Sequence, residues 1–327
     1  MTFTRNRLWR PIFGLALLAF TFSSFSADRQ RMEAELKNSH EAFRQGMVEK
    51  ALKHVYQAIL ADPKEPRCYF SAGQIHQSMR ESDEAIAAYT KTIQLAPTAT
   101  DAFRNRGMEH FKLGHVRESI EDFNHELKLA PSGRAGHWMR GLSFFYAGLF
   151  LDGQRQFEIH QTVNANDVEN AVWHFLCTAK ASGIEKAEAN YMPIKGDSRV
   201  PMMEIYKLYG GKGTLEEVME AVVAGDPRQL ELRNRRFFAH LYLALYFDVK
   251  SDKKSMRKHI DLAIGDYAQK HYMGDVARVH KMMLEGKLSH QNKFKPTKPK
   301  PAPQAKKPAA KGEKPAAKSA PKAKQKK

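Results

Sequence analysis

The sequence predicts an all-α fold: a solenoid of helix–turn–helix repeats, a C-terminal helical extension and a disordered basic tail. Three observations carry this. Pro63, Pro97 and Pro131 stand 34 residues apart and close the similar phrases AILADP, TIQLAP and ELKLAP. A fixed period of this length ending in a helix breaker marks stacked two-helix units. Small residues recur at set places within the period, and no segment alternates apolar and polar residues as a half-buried strand would.

Taken in order, residues 1–26 read as a secretory signal peptide. Arg5, Arg7 and Arg10 precede the apolar run PIFGLALLAFTF and the stretch SSFSA. Small residues at Ser24 and Ser26 predict cleavage after Ser26, with Ala27 as second choice. The apolar run, about twelve residues, is short of the roughly 20 needed to span a bilayer. Retention as an uncleaved anchor is the alternative. No cysteine lies near the cleavage region, so a lipid anchor is not expected.

Four units then cover about residues 32–165, at approximately 32–65, 66–99, 100–133 and 134–167. With the proline as position 32, position 8 holds Gly73, Gly107 and Gly141, and turn position 15 holds Gly46, Gly114 and Gly148. Position 20 is Ala51, Ala85, Ser119 and Gly153, all small. Position 24 is Val55, Tyr89, Phe123 and Phe157. Ala165 replaces the proline in the fourth unit. This pattern resembles the tetratricopeptide repeat. The resemblance implies a right-handed solenoid, because no unit buries its apolar face alone, and a concave groove lined by helix-A positions 2, 5, 9, 12 and 13.

Those positions give Arg67, Phe70, Gln74, Gln77 and Ser78 in the second unit. They give Asp101, Arg104, Met108, Phe111 and Lys112 in the third, and Ala135, Trp138, Leu142, Phe145 and Tyr146 in the fourth. The candidate partner-binding groove is therefore Arg67, Phe70, Gln74, Arg104, Met108, Phe111, Trp138, Leu142 and Phe145. Exposed aromatics edged by arginine are what protein-binding hot spots are made of. Phe70, Arg104 and Phe111 read as groove. For Trp138, Phe145 and Tyr146 a second reading stands beside it, in which the helices after residue 166 fold back and make them core. The Lys/Asn pattern of repeats that clamp a free C-terminal carboxylate is absent.

Residues 166–286 continue as a helical extension in which the repeat decays. VENAVWHFLCTAKA is one apolar helix, RVPMMEIYKLYGGKGTLEEVMEAVVAGD two helices around a Gly-rich turn, and MGDVARVHKMMLEG a last helix. Between them, residues 237–268 form a degenerate fifth unit with Ala244 at the packing position. The repeats, WHFLCTAKA, YGGKGTLEE and this late unit, in that order after a signal, resemble the NlpI-type adaptor lipoproteins of the bacterial envelope over roughly 32–285. That resemblance implies a non-catalytic adaptor binding envelope proteases and cell-wall hydrolases. The chain departs from that family in lacking a lipidated cysteine.

No motif points to catalysis, a cofactor or a metal. GGKGT at Gly210–Thr214 lacks phosphate-loop spacing and follows a helix; Thr214 with Glu217 reads instead as a capping box. His174 and Cys177 share a helical face, but no further ligands complete the three or four that a metal site needs. GLSFF around Ser143 is not a nucleophile elbow. Cys68 and Cys177 fall several packed helices apart, beyond the roughly 7 Å Cα reach of a disulfide, and are expected as separate buried thiols.

The formal charge of +17 sits at the ends. From residue 287 onward there are fourteen lysines and one acid, Glu313, a net of +13. Residues 1–26 carry +3, which leaves about +1 for the folded part. A nucleic-acid-binding domain carries its own basic face, so that function is the rival and not the first reading. The tail, residues 287–327, has seven prolines and no aromatic after Phe294, and is expected to be disordered. Outside the cytoplasm it would meet membrane phospholipid or anionic envelope polymers. The sequence thus predicts an exported, periplasmic or extracellular scaffold that binds a protein or peptide partner. Export predicts a mature chain starting at Ala27 or Asp28, read by N-terminal sequencing. An intact Met1 terminus in soluble cytoplasm would favour the nucleic-acid rival.

Overall fold

The computed structural model describes residues 13–288, with side chains from residue 27 onward. The expected signal residues 1–12 and the tail after 288 lie outside the described residues. The first unit pairs α1 (Phe13–Arg44) with α2 (Val48–Ala61), and the second α3 (Pro66–Met79) with α4 (Ser82–Leu95). The third pairs α5 (Thr100–Lys112) with α6 (Val116–Leu129), and the fourth α7 (Trp138–Tyr146) with α8 (Phe150–His160). Then follow α9 (Val168–Ser182), α10 (Ile184–Ala189), α11 (Met202–Tyr209) and α12 (Leu215–Val223). The last three are α13 (Gln229–Val249), α14 (Lys253–Ile264) and α15 (Tyr272–Leu284). Among the described residues there is no strand, and no helix is long and apolar enough to cross a membrane. The backbone of α1 begins before the expected cleavage position and runs unbroken into the first unit.

Each unit closes where its sequence leaves room. A Cβ added at position 8 would lie 2.5 Å from the Tyr89 ring at Gly73, 2.8 Å from the Phe123 ring at Gly107 and 2.7 Å from the Phe157 ring at Gly141. Carbon atoms rest against one another at roughly 3.5–4 Å, so each ring fills space that only glycine vacates. The first unit has Ser39 and Val55 at these places. The smaller valine accommodates serine, whose Oγ donates to the Ala51 carbonyl at 2.9 Å.

A polar tie repeats with the same period. Arg106 donates to both oxygens of Asp122, at 2.9 and 2.7 Å, and to Thr90 Oγ1 at 3.0 Å. One unit later Arg140 donates to Gln156 Oε1 at 2.9 Å and to Asn124 Oδ1 at 2.8 Å. Gln156 offers no charge, and burial lowers Arg140 to about 10. Cys68 and Cys177 are free and buried, as expected. Burial pushes the Cys68 thiol up to about 12 and that of Cys177 up further, so neither is a ready nucleophile.

The turn between helices needs a left-handed residue. Gly46, Gly114 and Gly148 supply it at φ of +73° to +75°, and the second unit uses Arg80 at φ +65°. A side chain in that conformation costs roughly 1–2 kcal/mol. Here it aims a guanidinium at a segment 190 to 195 residues further on: Arg80 Nη1 donates to the Lys270 carbonyl at 2.9 Å, and Nη2 pairs with buried Asp275.

That contact belongs to a return of the chain. Helix α15 crosses the concave face, where Tyr272 stacks on Phe111 with centroids 5.5 Å apart and meets Trp138 edge-on at 5.4 Å. His280 lies against Tyr146, and Met282 and Leu288 lie over Gly114. The reading of Phe111, Leu142 and Phe145 as open groove is thereby corrected. Phe111 and Leu142 are fully buried and Phe145 is 2% exposed, within one core that also holds Tyr146. Their apolar surface demands cover, and α9 (through Trp173 against Phe145) and α15 provide it. Leu288, placed by sequence in the tail, is buried in the same core.

Several histidines in this part are neutral. Burial holds His280 down to about 4 against an ordinary 6.5; Asp248 offsets this and Lys180 adds to it. His240 meets His259 Nδ1-to-Nδ1 at 2.8 Å and is also held to about 4, by burial first and then by the charges of His259, Arg236 and Lys258. Such groups stabilise the fold fully above their unfolded value and progressively less as the pH drops toward the folded one. Melting across pH 7.5 to 4 should therefore show stability falling below about 6.5. His280 alone accounts for about 3 kcal/mol of this, so His280→Leu should flatten the slope.

Candidate partner-binding groove

Helix α15 leaves the N-terminal part of the concave face open. There α1, α3 and the turn from α4 to α5 surround a cavity of about 540 Å³. Leu36, Phe70 and Ala99 give it apolar lining, and Arg67, Gln74 and Asp101 give it polar groups.

The sequence of α3 presents three of these together. Glu65 caps the helix by accepting from the Arg67 N–H, and Pro66 supplies a preset first turn. Residues 67, 70 and 74 then fall on one helical face. Arg67 is fixed from both sides: its Nε donates to Glu65 Oε1 at 2.8 Å and its Nη2 to Glu33 Oε1, from α1, at 2.6 Å. Hydrogen bonds to Glu65 and Glu33 hold the guanidinium charged, and that from Arg67 pulls the Glu65 carboxyl below its usual range. Phe70 is half-buried, with its ring 5.7 Å from that of Tyr89. Gln74 is exposed one turn on. His40 Nε2 lies 2.8 Å from Ser71 Oγ and links α1 to α3 across the cavity lining.

The other candidates lie elsewhere. Arg104 pairs with Asp101 at 3.0 Å and with buried Glu126, whose second oxygen lies 2.9 Å from His137 Nε2. Burial would raise Glu126, but the hydrogen bonds from His137 and Arg104 outweigh it and hold the carboxyl low. Arg104 thus ties the third unit together, though 42% of its side chain stays exposed. Met108 is partly buried, and Trp138 is partly buried under Tyr272. Leu36 and His40 were not singled out from sequence, although they occupy positions 5 and 9 of the first unit, the register that selects Phe70 and Gln74.

A second cavity of about 400 Å³ lies among α7, α8, α9 and α15, with Trp138 and Trp173 in its lining. Its carboxylates are already engaged: Arg199 donates to Asp167 at 2.6 Å and to Glu169 at 2.5 Å. Burial still raises Glu169. Gly210 and Gly211 lead into α12, and Thr214 and Glu217 form the expected reciprocal cap there, at 3.1 and 2.8 Å.

The two phenylalanines of the sequence reading now separate. Phe111→Ala should destabilise by roughly 3–5 kcal/mol, as for a buried aromatic. Phe70→Ala should cost about 1 kcal/mol, near the worth of its ring pair. Paired denaturant melts of the two variants measure the difference.

Residues 66–98 match the family described as Tetratricopeptide repeat. No curated protein sequence matches the chain. Among solved structures, a tetratricopeptide repeat protein from Parabacteroides merdae is 17% identical with a TM-score of 0.52, over 78% of this chain and 99% of that one. PilF of Pseudomonas aeruginosa is 13% identical with a TM-score of 0.40, over 77% and 99%. MamA from Desulfovibrio magneticus is 13% identical with a TM-score of 0.46, over 49% and 90%. Of these three, the first alone scores high enough to bear on the fold. The matched repeat, the glycine–ring packing and this likeness together show that the helices form a solenoid of the tetratricopeptide-repeat type.

Proposed function

We propose that this chain is an exported, non-catalytic scaffold that holds a protein or extended peptide in the N-terminal part of its concave face. The open cavity carries the reading: a half-buried aromatic, Phe70, stands beside a guanidinium already fixed by two carboxylates. Arg67 loses little further freedom when a partner arrives, which favours binding. An apolar partner side chain would enter beside Phe70 and Leu36, and Gln74 and Asp101 would meet its backbone. The resemblance to NlpI-type adaptors supports a place in the bacterial envelope and a role toward envelope proteases or cell-wall hydrolases. The lysine-rich tail supports added attachment to an anionic envelope polymer or membrane surface. The nucleic-acid reading has only the tail behind it, since the folded part is nearly neutral.

The test is a pull-down from envelope extract, followed by affinity measurement with the purified partner. Phe70→Ala should weaken binding by about 2 kcal/mol, the size of a hot-spot truncation, which is roughly thirtyfold, with the melt little changed. Unaltered affinity in that variant would rule out the groove reading.

A further inference from the structure

The second cavity, of about 400 Å³, is large enough for a small molecule. Its wall is aromatic on several sides, with Trp138 from α7, Phe157 from α8 and Trp173 from α9. No lysine or arginine lines it, whereas the carboxylates of Asp167 and Glu169 do. These two, with Asp197, share the one guanidinium of Arg199, at 2.6, 2.5 and 2.6 Å. Three carboxylates against one cation leave this corner with an excess of negative charge. Burial raises the Glu169 carboxyl even with Arg199 and the Tyr242 hydroxyl beside it.

Hydrogen bonding in the lining is unbalanced in the same sense. His160, 6% exposed, donates from Nδ1 to the Ala135 carbonyl at 2.8 Å, since a carbonyl only accepts. Its Nε2 is then an acceptor in the neutral ring and has no partner among the described residues. Asn170, 3% exposed, gives its amide hydrogens to the Phe157 carbonyl and to Gln161 Oε1, at 3.2 and 2.9 Å. Its Oδ1 is left without a partner. Against these two acceptors stands one unpartnered donor, Trp173 Nε1. Buried polar atoms are almost always paired, and what this lining lacks most is donors.

We propose that this cavity binds a small primary amine as its ammonium ion. The N–H groups donate to His160 Nε2 and Asn170 Oδ1, and the positive charge balances Asp167 and Glu169. The two indoles attract the same charge through their faces, and the hydrocarbon part of the ligand packs on Phe157. A quaternary ammonium has no N–H to give, and an alcohol of the same size has no charge. The site is separate from the cavity beside Phe70 and does not rest on the function proposed for it.

Two of the three tryptophans of the chain, Trp138 and Trp173, line the cavity, so intrinsic fluorescence reads its occupancy. The probe is n-butylammonium chloride, titrated into the full chain at constant total chloride. A saturable change in emission is expected, with affinity at least tenfold higher than for 1-butanol or tetramethylammonium. His160→Leu keeps the bulk of the side chain and removes the acceptor, and should weaken binding at least tenfold. Glu169→Gln removes the charge and still accepts from Arg199 and Tyr242, and should weaken it at least as much. No saturable change, equal affinity for either control, or unaltered affinity in either folded variant would overturn the proposal. Should a variant fail to fold, the comparison of ligands on the wild-type chain decides alone. Tighter binding of Nα-acetyl-lysine methylamide than of n-butylammonium would assign the ammonium to a protein side chain and overturn the small-molecule reading.

Discussion

The structure depends on one steric fit, repeated three times: a glycine at position 8 of helix A against an aromatic ring at position 24 of helix B. Rings of Tyr89, Phe123 and Phe157 sit where a Cβ would be. Glycine in a helix costs roughly 1 kcal/mol relative to alanine. That cost is offset because the backbones approach closely and the rings are wholly buried. Closely held pairs bring successive helices A into register, which is what makes a continuous concave face. The arginine ties at 106 and 140 reinforce the same spacing with hydrogen bonds between helices.

A stack of such units leaves an apolar face at its end, and this chain covers it with its own helices. The fourth unit carries Phe144, Phe145 and Tyr146 in succession, too much aromatic surface to leave in water. Helix α9 takes one side of it, and α15 returns over the concave side to reach Phe111, Trp138 and Tyr146. Two parts of one concave face therefore have different fates. Near α1 and α3 the lining is mixed and open; from Phe111 onward it is aromatic and occupied.

The occupied part is held by polar contacts with unequal quality. Arg80 pairs with Asp275, an ion taken almost wholly out of water, and Asp275 also accepts from Arg278. The helix also carries His280, which the core keeps neutral. A buried charge that loses a partner is costly, so the position of α15 is defined more sharply than its apolar contacts alone would require.

Much of this was legible in the residues. The 34-residue period, the glycines at 73, 107 and 141 and the rings facing them specify the unit and its packing, because local sterics decide both within one repeat. Thr214 and Glu217 specify their cap for the same reason, and the register places Arg67, Phe70 and Gln74 on the inner face. Which inner-face residues meet a partner was decided by tertiary structure. Phe70 and Phe111 hold comparable helix-A positions and look alike in the sequence, yet one is half open and the other has no exposed surface. The difference comes from a helix more than 150 residues away in the chain, whose route depends on the packing of everything between. The one local sign was Arg80 in place of a turn glycine, and its meaning appeared only when its guanidinium was seen to reach Asp275.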